Sequence, residues 1–134
     1  MNQTIIAAAA TLITMGVLDA VWLTTMTSRL YLRELGDLLL AAPLWAPAIG
    51  FYLLYAVGTL LLVVLPALRG EWTLGHAMLV GLLLGLVAYG TYDLTNMATL
   101  RGWSVTVSAI DMVWGAGLTA VTAAVALIAA RRFG

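Results

Sequence analysis

Four apolar runs, each long enough to cross a bilayer, occupy most of this chain and leave it few folds to choose from. They lie near residues 3–27, 45–68, 73–98 and 103–130, and one α-helical crossing needs about 20 apolar residues. In hydrocarbon every backbone N–H and C=O must find its partner inside the segment, so runs of this length become helices. Composition agrees, since 63% of the 134 residues are hydrophobic and only 9% are charged. A soluble domain of this size could not hide that much apolar surface. The expected fold is therefore all-α and integral to the membrane, a single transmembrane domain over residues 1–134. The first run lacks a basic start and carries Asp19, where a secretory signal is uniformly apolar, so it is expected to be a retained helix.

The connections decide how the helices pack. LRGEWT before the third run and LRGWS before the fourth each hold an Arg-Gly pair and a Trp, the composition of a tight turn anchored at headgroup level. Turns this short force an antiparallel four-helix bundle. Residues 28–42 mix leucines and a tyrosine with Arg29, Arg33, Glu34 and Asp37, which predicts one short interfacial helix lying on the membrane surface and ended by Pro43 and Pro47. Arg69, Arg131 and Arg132 share a face with the termini, and Arg29, Arg33 and Arg101 lie on the other. The Arg131–Arg132 pair tips this even count towards cytoplasmic termini.

Within these runs stand Asp19, Asp93 and Asp111, half of the six acidic residues, with no Lys or Arg beside them. A carboxylate inside hydrocarbon costs at least about 2.5–3.5 kcal/mol, so it has to be paired, protonated or hydrated. The antiparallel connectivity brings all three to nearly one depth. Asp19 lies about eight residues, roughly 12 Å, before the far end of its helix, and Asp111 about as far after its own far-face start. Asp93 sits slightly nearer that face, and Tyr52 and Tyr55 fall at a similar level.

Helical phase groups further polar residues with the aspartates. Tyr89, Tyr92, Asp93 and Asn96 stand at i, i+3, i+4 and i+7, one face of a helix that Gly81 and Gly85 continue. Tyr52, Tyr55 and Thr59 form a second stripe, and Ser104, Ser108, Asp111, Trp114 and Gly115 a third. Such stripes can be glue between helices, but ionisable groups at this depth point to a site. The small residues Gly81, Gly85, Ala116, Ala120 and Ala124 are expected to be close-approach surfaces. Asp19-Ala-Val-Trp22 and Asp111-Met-Val-Trp114 repeat an Asp-x-x-Trp pattern on helices of opposite direction. Inverted repeats around a polar site are a device of secondary transporters; the bland alternative is that each Trp is a lid excluding lipid from a polar pocket.

FYLLYAVGT at 51–59, YGTYDLTNMATLRGW at 89–103 and the flanking LDAVWL and IDMVWG resemble the small four-span bacterial membrane proteins catalogued as domain of unknown function 2177. The resemblance spans nearly the whole chain and takes in Asp19, Trp22, Tyr52, Tyr55, Tyr89, Tyr92, Asp93, Asn96, Arg101, Trp103, Asp111 and Trp114. It implies a multi-pass protein of the bacterial inner membrane and hints at a lipid context near modified fatty-acid metabolism.

The available chemistry is narrow. There is no Cys and no Lys, and His76 is the sole histidine, on the terminal face far from the aspartates. Thiolate and bis-histidine metal sites, a histidine-box di-iron centre, a retinal Schiff base and a Ser-His-Asp triad all lack their parts. What remains is carboxylates, phenols, an amide and hydroxyls, which can relay protons, bind a hard cation, or hold a headgroup or small cationic ligand. No cofactor and no resident metal are expected, catalytic residues are unassigned, and Arg101 is the candidate counter-ion. The expected partners are membrane lipids and, because four short helices enclose little room, a further copy of the chain; the charge pattern does not suit nucleic acid. Three functions stay open: proton- or cation-linked transport of a small solute, a lipid-modifying enzyme or its accessory subunit, and a structural scaffold.

Overall fold

The computed structural model describes residues 2–134. All regular structure among the described residues is helical, and four helices are long and apolar enough to cross a membrane: Gln3–Leu38, Trp45–Arg69, Leu74–Thr99 and Val105–Phe133. Three of them begin on a capping residue, where a side-chain oxygen accepts one of the orphan N–H groups of a first turn. Asn2 Oδ1 accepts from the N–H of Thr4 at 2.7 Å, Thr73 Oγ1 from that of His76 at 3.1 Å, and Ser104 Oγ from that of Val107 at 3.1 Å.

The first span is longer than the sequence suggests. Helix α1 (Gln3–Met26) runs through a π-helical turn (Thr27–Tyr31) into α2 (Leu32–Leu35) and a 3-10 turn (Gly36–Leu38). The surface segment is therefore an extension of α1, and its α-helical part ends at Gly36, whose φ of +50° suits a residue without Cβ. Neither proline ends it. Pro43 lies in the following irregular stretch, and Pro47 sits in the first turn of α3 (Trp45–Thr59), where a missing N–H costs nothing. A second π-helical turn (Leu60–Val64) joins α3 to α4 (Leu65–Arg69).

Helix α6 (Val105–Phe133) is the axis of the bundle, packed between α1 and α5 (Leu74–Thr99). Alanine and threonine fill its buried face, including Ala116, Thr119, Ala120, Ala123, Ala126 and Ala130, so neighbouring backbones can come close. Gly81 lies against the backbone of Thr119 and Ala120, and Gly85 directly against that of Gly115 and Ala116. The small-residue surface is thus used within the chain. Span two reaches the other helices chiefly through its π-helical turn, whereas α3 itself leans on α1. Its far half meets α5 through the edge-on Tyr55–Tyr89 ring pair at 6.0 Å, and a space remains beside Asp111.

At the terminal face the Arg131 guanidinium donates to the carbonyls of Trp72 at 2.6 Å and Ala67 at 3.4 Å. A cation is well placed near the Ala67 carbonyl, because the end of α4 carries the negative end of its dipole. His76 is exposed, with Trp72 packed edge-on at 4.6 Å.

Candidate functional site

Asp93 is 0% exposed, and both its carboxyl oxygens lack a hydrogen-bond donor. Helix α5 carries it towards α6 because Gly85, two turns earlier, admits the α6 backbone. Asp111 on the facing helix stands close enough for the two carboxyl groups to act on each other. Two ionised carboxylates only accept, so the contact becomes a hydrogen bond when one of them holds a proton. Asp111 is 8% exposed, and Asp19, half-buried on α1, lies beside Trp114 and within electrostatic range of Asp111.

Asp111 is held by a short polar chain. The Trp22 indole N–H donates to the Tyr31 hydroxyl at 2.9 Å, and that hydroxyl donates to Asp111 Oδ1 at 2.7 Å. Trp22 also stacks on Trp114 with ring centroids 4.3 Å apart and planes 8° from parallel. The two Asp-x-x-Trp segments therefore meet face to face through their tryptophans, while the buried Nε1 of Trp114 faces the Asp19 carboxyl without closing a hydrogen bond of ordinary geometry.

A cavity of about 390 Å³ opens beside this cluster. Its walls are Leu23, Tyr31 and Leu35 from the first span, Phe51 from α3, Ala88, Tyr89 and Tyr92 from α5, and Val107 and Asp111 from α6. Tyr89 reaches its place because Gly115 has no side chain; a Cβ there would overlap the ring. Tyr92 is 52% exposed and packs edge-on against Trp103, whose indole N–H donates to Ser108 at 3.0 Å.

A family model described as a predicted membrane protein (DUF2177) matches residues 4–128. The chain belongs to this family. No curated protein and no solved structure matches it. All the clustered residues fall within the part of the chain that the family covers.

Tyr52 and Tyr55 place their hydroxyls on partners other than the carboxyl groups. The Tyr52 hydroxyl donates to the carbonyl of Leu12 and rests on Gly16, one turn short of Asp19. Thr119 Oγ1 donates to the Gly115 carbonyl, so the Tyr55 hydroxyl, 2.7 Å from Thr119, is the donor of that pair. Thr119 lies eight residues beyond Asp111, roughly 12 Å along α6. Both tyrosines stitch span two to its neighbours. Asn96 is partly exposed one turn beyond Asp93, and Arg101 is exposed in the turn before α6. The inward hydrogen bond to Asp111 thus comes from a neutral phenol, on a residue outside the sequence-derived set. Glu34 is a second unforeseen contact, accepting from the Ser104 hydroxyl at 3.1 Å and docking the extension of α1 on the positive end of α6.

Proposed function

We propose that this protein carries a small solute across the membrane in exchange for protons, with the Asp93–Asp111 carboxyl pair as the exchange point. The observation behind this reading is the position of the pair: Asp93 is sealed without a donor, while Asp111 beside it reaches a cavity lined by no Lys, Arg or His. Adjacent carboxylates in a poorly hydrated place repel each other, and a proton shared between them relieves both that repulsion and the missing donor. A solute that brings its own charge or hydrogen bonds to Asp111 competes with that proton. The opposed Asp-x-x-Trp segments, joined by the Trp22–Trp114 stack, suit the same reading, since transporters build sites at the junction of inverted repeats. We assign the protein to the bacterial inner membrane from the family resemblance, and both termini to the cytoplasmic side from Arg131 and Arg132 at the end of α6.

The test is a solute screen in proteoliposomes with an imposed pH gradient and an internal pH dye. At least one small solute is expected to collapse the gradient through the wild-type protein and not through Asp93→Asn. Equal collapse by both proteins contradicts the proposal.

A second reading, a lipid-modifying enzyme or its accessory subunit, draws on the rim of the cavity. Leu23 and Phe51 line the cavity and are each about half exposed, which leaves a side entrance for an acyl chain. A membrane lipid profile that changes on deletion, and recovers with the wild type but not with Asp111→Asn, would favour it. No change in either assay leaves the polar groups as helix glue.

A further inference from the structure

We infer that the cavity takes a lipophilic organic monocation, an amine or quaternary ammonium on a small apolar or aromatic body, held among Tyr31, Phe51, Tyr89 and Tyr92 against the Asp111 carboxylate. This inference rests on the exchange reading and narrows it to one class of solute.

The walls carry the argument. Four of the nine lining residues are aromatic, one is a carboxylate, and the rest are aliphatic. Aromatic rings attract cations through their negative faces, and more strongly where water is scarce. An anion would meet Asp111 with no positive side chain to balance it. A sugar-like neutral solute would need many hydrogen bonds, but the walls offer three phenols and one carboxylate, and the Tyr31 hydroxyl is already spent on Asp111. A hard metal ion asks for about six oxygen ligands, and the described residues contain no group of three His, Cys, Asp or Glu side chains arranged to hold one. At about 390 Å³ the space is at the small end of ligand pockets, which suits a body of one ring or a short branched chain.

Charge also balances. With one proton shared, the carboxyl pair carries a single negative charge; a monocation enters, the proton leaves for water, and the net charge rises by nothing. The bond broken is the O–H of the shared proton, and the ion pair with Asp111 replaces it.

The experiment is calorimetric titration of the purified full-length protein in detergent, blanked against empty micelles. The probes are phenyltrimethylammonium, its uncharged carbon isostere tert-butylbenzene, and benzoate. The cation is expected to bind at least about tenfold more tightly than either of the others. Phe51→Leu, which removes a ring from a half-exposed wall and keeps it apolar, is expected to weaken the cation by roughly three- to fivefold and leave the isostere unchanged. Asp111→Asn is expected to bring the cation down to the affinity of the isostere. Should that variant fail to fold, the probe comparison and Phe51→Leu still decide. An isostere that binds as well as the cation, benzoate binding more tightly, or a Phe51→Leu effect equal on both probes overturns the inference. Proton release in weak buffer separates the two levels. Cation binding without release contradicts the exchange reading and keeps the ligand class, whereas proton-coupled flux of a neutral or anionic solute keeps exchange and removes the ligand class.

Discussion

Tyr31 supplies by hydrogen bonding what a cation would otherwise supply by charge. Its hydroxyl accepts from Trp22 and donates to Asp111, so Tyr31→Phe strips a donor from a buried carboxyl and a partner from an indole at once. Orphaning a buried polar group costs about 1–3 kcal/mol, and Tyr31→Phe is expected to lower the melting temperature in detergent clearly. His76→Ala removes only an edge contact with Trp72 on an exposed surface and is expected to stay within about 0.5 kcal/mol of the wild type. Equal melting of the two variants would contradict this ranking. The aspartates and tryptophans were legible in the sequence because polar groups in hydrocarbon cannot be incidental. Tyr31 was not. Nine residues on an ideal α-helix turn through about 900°, which sets Tyr31 opposite Trp22. The π-helical turn Thr27–Tyr31 turns less per residue and swings the phenol round towards Trp22, so that its hydroxyl meets the indole N–H.

The helices themselves followed from length and apolarity, but their irregularities did not. A π-helical turn leaves no composition signal in TSRLY or LLLVV, and tertiary contacts decide where the extra residue is absorbed. Prolines misled at one boundary for a similar reason, because Pro47 fits equally well after a helix or inside its first turn. The glycine spacing of α5 was readable as a close-approach surface, and the structure identifies its partner as α6. A Cβ on Gly85 would run into the backbone of Gly115 and Ala116, and one on Gly115 into the Tyr89 ring, while Gly58 has open space around it. Gly85→Ala and Gly115→Ala are each expected to cost roughly 1–3 kcal/mol through overpacking. Gly58→Ala is expected to be neutral or slightly stabilising. Yield and melting temperature of the three purified variants check this, and a Gly58→Ala as damaging as Gly85→Ala would contradict the packing described.

At the scale of the molecule, short turns dictated the antiparallel order, and that order alone gathers three aspartates from three helices into one half of the bundle. What the sequence could not disclose is the lean of α3 on α1, with Tyr52 and Tyr55 stitching span two to α1 and α6. Orientation can be tested cleanly because the chain has no cysteine. Phe133→Cys on the terminal face is expected to resist a membrane-impermeant thiol reagent added to intact cells, and Asp37→Cys on the far face to react. The reverse pattern inverts the assignment. The central claim is that Asp93 and Asp111 share a proton inside the bundle, and infrared difference spectroscopy of the purified protein near neutral pH, with chelator present, tests it most directly. The account predicts a protonated-carboxyl band that shifts in deuterated water and vanishes in both Asp93→Asn and Asp111→Asn. A spectrum without that band, or a band that survives both substitutions, would contradict it.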